Sequence, residues 1–314
     1  MTLLAVYRVI EFMQPAKQNP LSGTPASDLH IDKELVHSLL KDQHADLEHL
    51  PLHSNQEGWD NVTFRLGEEW AIRLPRRHAA ATLIGNEQAW LPSLADRLPL
   101  AIPVPYRIGK PALGYPWRWS IVPWLPGVTA DIEEPAAGQA VVFAAFLEAL
   151  HTVAPINAPF NPVRGVPLHE RAIIIEERIQ RLEKTTTFIT EKIRRQWNVS
   201  LHTPIDTEKT WIHGDLHARN VLVQDGRITG IIDWGDITSG DTATDLASLW
   251  MLFPDRRARE NFRSAYTGIS EATWQRARGW AILFGVILLD TGLINDARNA
   301  EMGRKTLQRV LEDD

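Results

Sequence analysis

Cysteine is absent from all 314 residues of the chain. Disulfides, thiolate zinc sites and cysteine nucleophiles are therefore excluded. The chain also lacks an excess of basic residues, since 33 lysines and arginines face 39 acidic side chains and the formal net charge is −6. A net negative charge offers no general attraction to a nucleic-acid backbone, so no nucleic-acid partner is expected.

Long apolar runs are absent as well. The longest uninterrupted run, Trp280 to Leu289, has ten residues, which is half of the ~20 needed to cross a bilayer. The apolar start of the chain is broken by Arg8 and Glu11 and lacks the features of a secretory signal. These absences predict a cytoplasmic protein without a membrane partner, and no pattern indicates its oligomeric state.

The length exceeds what one hydrophobic core usually supports, which predicts two lobes. Residues 1–28 end in a proline-rich polar stretch and are predicted to be a flexible leader. Residues 29–125 are predicted to form a small β-rich lobe with a connector, and residues 126–314 a larger helical lobe. The predicted fold class is therefore α+β.

Local patterns predict the elements of the first lobe. Apolar residues alternate in 62–66 and again in 70–74, which predicts a hairpin. Asp32 is the predicted N-cap of a short helix. A second helix is predicted over 79–97, where Pro92 should kink or end its first part. Residues 117–124 are predicted to be an edge strand.

The second lobe reads as helices interrupted by one compact hairpin. Its two strands, 220–223 and 228–232, are joined by a turn that contains Asp225 and Gly226. Asp-Gly is a strong signal for a tight hairpin turn. The hairpin therefore brings the residues before its first strand close to those after its second strand.

Two motifs flank this hairpin, HGDLHARN at 213–220 and IIDWGD at 231–236. Phosphoryl transfer requires a carboxylate that orients the hydroxyl and oxygen ligands that hold magnesium. Asp215, Asn220 and Asp233 supply these groups, and the Asp-to-Asn interval of five equals that of the kinase pattern H-R-D-x-x-x-x-N. An ordinary polar turn would not match one template at three positions together.

With these motifs the chain resembles the aminoglycoside phosphotransferase family, over about residues 29–314. The resemblance implies the bilobal protein-kinase-like fold that choline and macrolide kinases share. It implies that Asp215 is the catalytic carboxylate, that Asn220 and Asp233 hold Mg²⁺, and that His213 braces the loop. It further implies ATP, or GTP, as phosphate donor and a small hydroxyl-bearing acceptor.

The nucleotide site is predicted in the first lobe, because no G-x-x-x-x-G-K-[ST] loop occurs in the chain. The segment 54–61 lies between two predicted strands, where backbone amides and polar side chains can cover phosphates. Arg73 stands where the family usually has lysine, with Glu87 as its predicted partner and Arg76 as a competing phosphate ligand. The residues predicted in the phosphate-covering segment are Ser54, Asn55, Gly58 and Asn61.

The connector between the lobes is predicted to bind adenine by the same resemblance, through the Pro123 carbonyl and the Leu125 amide. Asp245 is assigned a supporting role, and the spacing Thr242-x-x-Asp245 fits a capping box. Arg219 has no role that the sequence assigns.

The acceptor is the least specified part of the sequence. Residues 241–314 contain 11 acidic and 10 basic side chains, so the second lobe is not strongly acidic, as a site for polyamine antibiotics would be. Asp236, Asp241 and Asp290 are the candidate acceptor ligands. An apolar acceptor such as a macrolide is also compatible with the aromatic residues Trp250, Phe253, Trp274, Trp280 and Phe284.

Two other functions remain open at this stage. A catalytically silent kinase-like module would bind nucleotide without transferring phosphate. His213, Asp215 and His217 also form an H-x-D-x-H pattern that could hold a metal for hydrolysis. That hydrolase would leave Asn220, Asp233 and the first lobe without a function.

Overall fold

The computed structural model of the chain describes residues 25–313, without the side chains of residues 54–56. Residues 1–24 of the predicted leader therefore lie outside the described residues. The lobe boundaries predicted after residues 28 and 125 stay predictions.

The first part of the chain forms a five-stranded antiparallel sheet in the order β1-β2-β3-β5-β4. The predicted hairpin is present as β2 and β3, in which Thr63 lies opposite Arg73. The strands are β1 Leu52–Glu57, β2 Asn61–Leu66, β3 Trp70–Pro75, β4 Arg107–Gly109 and β5 Trp119–Pro123.

A helix near the start of the described chain packs against this sheet. Helix α1, Lys33–Gln43, begins where the sequence predicts, because the Asp32 carboxylate accepts a hydrogen bond from the Leu35 amide at 2.9 Å. Its apolar residues recur every three or four positions and so face the sheet together. The resulting core includes Val36, Leu39, Leu40, Phe64, Ile72 and Trp119.

One prediction for this part is wrong. The strand predicted at the edge, β5, lies inside the sheet between β3 and β4. Helix α2, His78–Ala95, does not end at Pro92 but runs through it, and a kink at Pro92 stays a prediction. Proline removes one helical hydrogen bond, but Leu91 and Leu94 on either side are buried in the second core and hold the helix in place.

The second part of the chain is mainly helical around the long helix α9. Several other helices contact α9 and share one hydrophobic core with it. The helices are α3 Gln139–Leu150, α4 Ala172–Thr185, α5 Glu191–Leu201, α6 Ala243–Leu246, α7 Ser248–Leu252, α8 Arg256–Ala265, α9 Glu271–Asn295 and α10 Ala297–Glu312.

Five short strands lie among these helices. The predicted hairpin is β8–β9, and Asp225 and Gly226 both have positive φ (52° and 70°), as its tight turn requires. The second pair, β7 with β10, was not predicted, because three-residue strands carry too little pattern. The strands are β6 Val128–Thr129, β7 Thr210–Ile212, β8 Val221–Gln224, β9 Arg227–Ile231 and β10 Thr238–Gly240.

Helix α9 is long and apolar enough to cross a bilayer by length and composition, and it is the one such helix in residues 25–313. However, 72% of its most apolar window is buried inside the protein. A helix that is apolar on all sides and enclosed by other helices is a core helix.

Two glycines make a test of sheet packing. Gly109 lies opposite Trp119, and a methyl group at this position would overlap the indole ring. We expect Gly109→Ala to lower the free energy of unfolding by ~1–3 kcal/mol, measured by denaturant titration. Gly85 lies inside α2 with open space around its α-carbon. Gly85→Ala is the control and should raise stability by ~0.4–1 kcal/mol; equal effects of both changes would contradict the packing.

Candidate active site

The loop that follows β7 carries Asp215 and turns sharply at Gly214. Gly214 has φ +87°, and a Cβ atom there would lie 2.8 Å from the Asp236 carbonyl oxygen. Glycine alone permits both the left-handed backbone and this close approach. The His-Gly-Asp sequence therefore brings the loop directly against the segment that follows Asp233.

Asp245 fixes the backbone of this loop through hydrogen bonds. Its fully buried carboxylate accepts hydrogen bonds from the His213 amide at 2.7 Å and the Gly214 amide at 2.8 Å. His151 Nε2 lies 3.2 Å from the same group. The capping box is wrong, because the Thr242 side chain makes no capping hydrogen bond. Buried amides in a turn need acceptors, and Asp245 supplies two of them.

His213 joins the two motifs. Its ring is buried, with Nδ1 accepting from the Asp215 amide at 3.2 Å and Nε2 donating to the Ile232 carbonyl at 3.0 Å. Both ring nitrogens are thus used within the fold. Among the residues that the structure describes, no group of three histidine or carboxylate side chains can hold a metal. The H-x-D-x-H hydrolase reading therefore has no site.

Asp215 lies at the centre of a polar network with one-fifth of its side chain exposed. Its carboxylate accepts from Arg164 Nη2 at 2.9 Å and lies 3.4 Å from His217 Nε2. The Asn220 amide nitrogen donates to the Asp215 backbone carbonyl at 2.8 Å. Asp215 and Asn220, predicted from their spacing alone, are therefore in direct contact.

The charges around Asp215 set its protonation. Burial alone would raise the pKa of this carboxyl, but the positive charge of Arg164 and the contact with His217 hold it well below its ordinary value. Asp236 contacts the same arginine, but its pKa is shifted in the opposite direction. Burial and the charge of Asp215 raise the pKa of Asp236, although Arg164 opposes them. The two neighbouring carboxyls thus differ in acidity.

Asn220 and Asp233 have the oxygen donors that a hard cation requires. Because the Asn220 amide nitrogen is used on Asp215, its oxygen remains as a ligand. Asp233 has a left-handed backbone, φ 61°, and its side chain is 47% exposed, with one oxygen bonded to Arg73. The donor set fits Mg²⁺ held between these two residues.

Arg73 connects the sheet to this site. Its Nη1 donates to Glu87 at 2.5 Å and its Nη2 to Asp233 at 3.0 Å. Glu87 on α2 is 1% exposed, so the predicted partner is buried. Burial disfavours the charge on Arg73, yet Glu87 and Asp233 raise its pKa above the ordinary value. Arg73 therefore stays charged beside the proposed metal ligand.

The segment predicted to cover phosphates differs from the expectation. Ser54 and Asn55 lie within strand β1, not in a loop, and their side chains are outside the described residues. The turn is only residues 58–60, closed by the Gly58 amide donating to the Asn61 carbonyl at 2.8 Å. Arg76 donates to the Gly58 carbonyl at 2.9 Å, so its side chain supports the turn.

Asp60, which lies in this turn, interacts electrostatically with residues of the active site. Burial and the charge of Asp233 raise the pKa of Asp60 to about 6, while its partner Arg77 lowers it. The turn between β1 and β2 thus lies near enough to Asp233 for their charges to interact.

The connector has fewer free backbone groups for binding adenine than the sequence alone allowed. The Trp124 amide donates to the Glu69 carbonyl at 2.7 Å, so it is not free for a base. Pro123 still lies within β5, opposite Trp70. The Pro123 carbonyl and the Leu125 amide stay predictions for the adenine contacts.

Sequence reasoning missed Arg164 and Asn161, which lie in the irregular segment after α3. The Asn161 side-chain oxygen accepts from the Arg164 amide at 3.1 Å, and its nitrogen donates to Asp236 at 2.8 Å. Arg164 then bridges Asp215 and Asp236. No periodicity or motif marks this segment; the Asn-x-x-Arg turn is the only local signal.

Of the acceptor candidates, only Asp236 lies beside Asp215. Asp241 is 3% exposed and bonded to Arg276 at 2.7 and 3.2 Å, which leaves no oxygen for a ligand. Asp290 is paired with Arg178 and Arg181 on α4. The aromatic residues proposed for an apolar pocket belong to the buried core: Trp250, Phe253, Trp274, Trp280 and Phe284.

Arg219 also acquires a role. Its Nη1 donates to Asp296 at 2.7 Å and to Asn299 at 3.1 Å, at the junction of α9 and α10. It therefore ties the 3₁₀ turn Ala218–Asn220 to the end of the central helix. The motif arginine fixes the loop that carries Asn220.

Comparison with known proteins agrees with this geometry. The model of a family described as the phosphotransferase enzyme family matches residues 52–280, which is more than half of the chain.

The chain belongs to the phosphotransferase enzyme family.

Individual relatives are distant. An aminoglycoside 3'-phosphotransferase of Salmonella typhimurium is 30% identical over 144 residues, which cover 42% of this chain and 51% of that protein. The chain thus spans about half the length of this relative. The uncharacterized protein YcbJ of Bacillus subtilis is 25% identical over 225 residues, 64% of this chain and 70% of that protein.

Solved structures of family members share the fold. An APH(2'') enzyme superposes with a TM-score of 0.65 at 19% identity, over 90% of this chain and 100% of that chain. The macrolide 2'-phosphotransferase MphH of Brachybacterium faecium gives 0.56 at 18% identity, over 87% and 97%. The predicted α+β, bilobal protein-kinase-like fold is thereby confirmed.

This chain has Arg73 where the family usually has lysine, and the role of Arg73 can be tested directly. We expect Arg73→Ala to raise the nucleotide KM and slow phosphate transfer, and Arg73→Lys to recover much of the loss because the charge returns. Arg107→Ala, which removes an arginine at the edge of the same sheet, is the control. Equal loss in both Arg73 variants would show that the two-armed geometry matters more than charge. Loss in Arg76→Ala alone would move the role to Arg76.

Proposed function

We propose that the chain is a cytoplasmic small-molecule kinase that transfers the γ-phosphate of a magnesium-bound nucleoside triphosphate to a hydroxyl group. The observation that carries this proposal is the grouping of Asp215, Asn220 and Asp233, in which Asn220 bonds Asp215 and Arg73 bonds Asp233. These are the groups that phosphoryl transfer requires from a protein.

Asp215 is the residue that acts on the acceptor. The acceptor oxygen forms a bond to the γ-phosphorus, the bond from phosphorus to the bridging oxygen breaks, and the hydroxyl proton passes to Asp215. The low pKa that Arg164 imposes on Asp215 makes it a weak base. Asp215 therefore orients the hydroxyl and accepts its proton late in a loose transition state.

Asn220 and Asp233 would hold Mg²⁺, which supplies neutralisation of phosphate charge when bound. Arg73 adds a fixed positive charge beside them. Related structures with GDP or ADP bound support a nucleotide at this site. Both ATP and GTP fit the proposal, because the sequence does not choose between them.

The first acceptors to test follow from the family. Related enzymes were solved with kanamycin, gentamicin or streptomycin, and others are named macrolide phosphotransferases. Phosphorylation of such antibiotics, and with it antibiotic resistance, is the first hypothesis for the acceptor. Whether such an antibiotic binds depends on the residues around Asp215 and Asp236.

Asp215 gives the central prediction. We expect Asp215→Ala to lower the turnover number by ~10²- to 10⁴-fold with little change in nucleotide affinity, because the residue acts on the reaction step. Asp215→Asn should hardly recover activity, since the amide cannot accept the proton. Turnover by ADP release and affinity by direct binding must be measured separately. Near-normal turnover of Asp215→Asn would contradict the mechanism.

The metal requirement gives a second prediction. We expect excess chelator to abolish transfer, and Asp233→Ala to do the same while cooperative unfolding is kept. Full transfer in chelator would contradict the assignment of Asn220 and Asp233. Nucleotide binding by the wild-type chain without ADP release for any acceptor would instead identify a catalytically silent binding module.

A further inference from the structure

Four arginines form a row that starts at Asp215 and follows helix α9. This arginine row consists of Arg164, Arg171, Arg178 and Arg181. At one end Arg164 bonds Asp215 and lies over the ring of Phe284, 5.1 Å from its centroid. At the other end Arg178 and Arg181 bond Asp290 at 2.6 and 2.7 Å.

The spacing of two residues on helix α9 gives the length of the arginine row. Phe284 and Asp290 are six residues apart on this helix, which corresponds to ~9 Å along its axis. Arg171 ends the 3₁₀ turn that leads into α4, seven residues before Arg178. A separation of seven places two residues on the same helical face. Arg171 therefore lies between the two paired ends of the row.

Arg171 has no counterion among residues 25–313. Its Nε is buried without a hydrogen-bond partner, and none of the described side chains forms an ion pair with it. Burial and the positive charges of Arg164 and Arg178 lower its pKa. The other members of the row are each bonded to a carboxylate. Arg171 alone is surrounded by like charge.

The buried Nε of Arg171 lacks a hydrogen-bond partner, and an anion bound to its guanidinium would supply one. From Arg171 to Asp290 the row carries three positive charges and one negative charge. Guanidinium groups bind carboxylate and phosphate through two parallel hydrogen bonds. An acceptor with several amines would instead meet repulsion at this position.

We propose that the acceptor carries an anionic group, a carboxylate or a phosphate, which Arg171 binds while the acceptor hydroxyl lies at Asp215. This inference rests on the proposed kinase function and specifies its substrate class. Arg164 separates the two positions, so the anion and the hydroxyl belong to one small molecule that spans this side chain. Arg171 is then a specificity residue, and Asp215 remains the catalytic residue.

Anion binding can be measured without catalysis. Sulfate is titrated calorimetrically into protein saturated with Mg²⁺ and a non-hydrolysable ATP analogue, so that the nucleotide site is filled. We expect Arg171→Gln to weaken sulfate binding by roughly 10- to 100-fold, the usual effect of losing a charged hydrogen bond, and Arg171→Lys to weaken it less. Arg195→Gln removes an exposed arginine on α5 and should change nothing. No sulfate binding to the wild type, or equal weakening in Arg195→Gln, would overturn the proposal.

The acceptor class is tested by ADP release with matched compounds. Each hydroxylated skeleton is offered as a carboxylate, a phosphate ester, a neutral amide and an amine, with aminoglycosides in the amine group. We expect one of the two anionic forms to be preferred, and Arg171→Gln to raise its KM by roughly 10- to 100-fold with a smaller change in kcat and none in nucleotide affinity.

The outcomes separate this proposal from the kinase function. Transfer to amines or amides that Arg171→Gln leaves unchanged would keep the kinase and overturn the anion site. Arg171-dependent sulfate binding without ADP release for any compound would support the anion site and count against the kinase. Arg171-dependent transfer to an anionic acceptor would support both.

Discussion

The contact between Arg73, Glu87 and Asp233 is the constraint on which the site depends. It joins strand β3, helix α2 and the second motif, which are up to 160 residues apart in the chain. Removing one partner of a buried ion pair typically costs ~3–5 kcal/mol, because the other charge is left without compensation. The contact therefore aligns the sheet with the catalytic loop, while Asp245 and Arg219 hold that loop from the helical side.

Charge is distributed unevenly around this contact. On the nucleotide side Asp60, Asp233 and Glu87 share Arg73 and Arg77, and the resulting excess of negative charge contributes to the raised pKa of Asp60. A divalent cation would restore the balance, which is consistent with the proposed magnesium. On the proposed acceptor side the positive charges of Arg164 and Arg178 act on Arg171. The two sides of the proposed active site thus differ in the sign of their charge.

The parts of the fold that could be predicted depend on local rules. The helix N-cap at Asp32, the β2–β3 alternation and the Asp-Gly turn are each determined by a few neighbouring residues. The errors came where distant residues decide. Pairing with β4 places β5 inside the sheet and not at its edge. That partner cannot be read from the segment itself.

By itself the sequence determined the proposed catalytic set, because Asp215, Asn220 and Asp233 lie on either side of one short hairpin whose turn is locally encoded. Only the tertiary structure decided which groups surround them. Arg164 reaches Asp215 from 51 residues away, and Asp245 reaches Gly214 from 31. The physical reason is that side-chain hydrogen bonds between distant segments leave no periodic trace in the chain, whereas turns and strand alternation do.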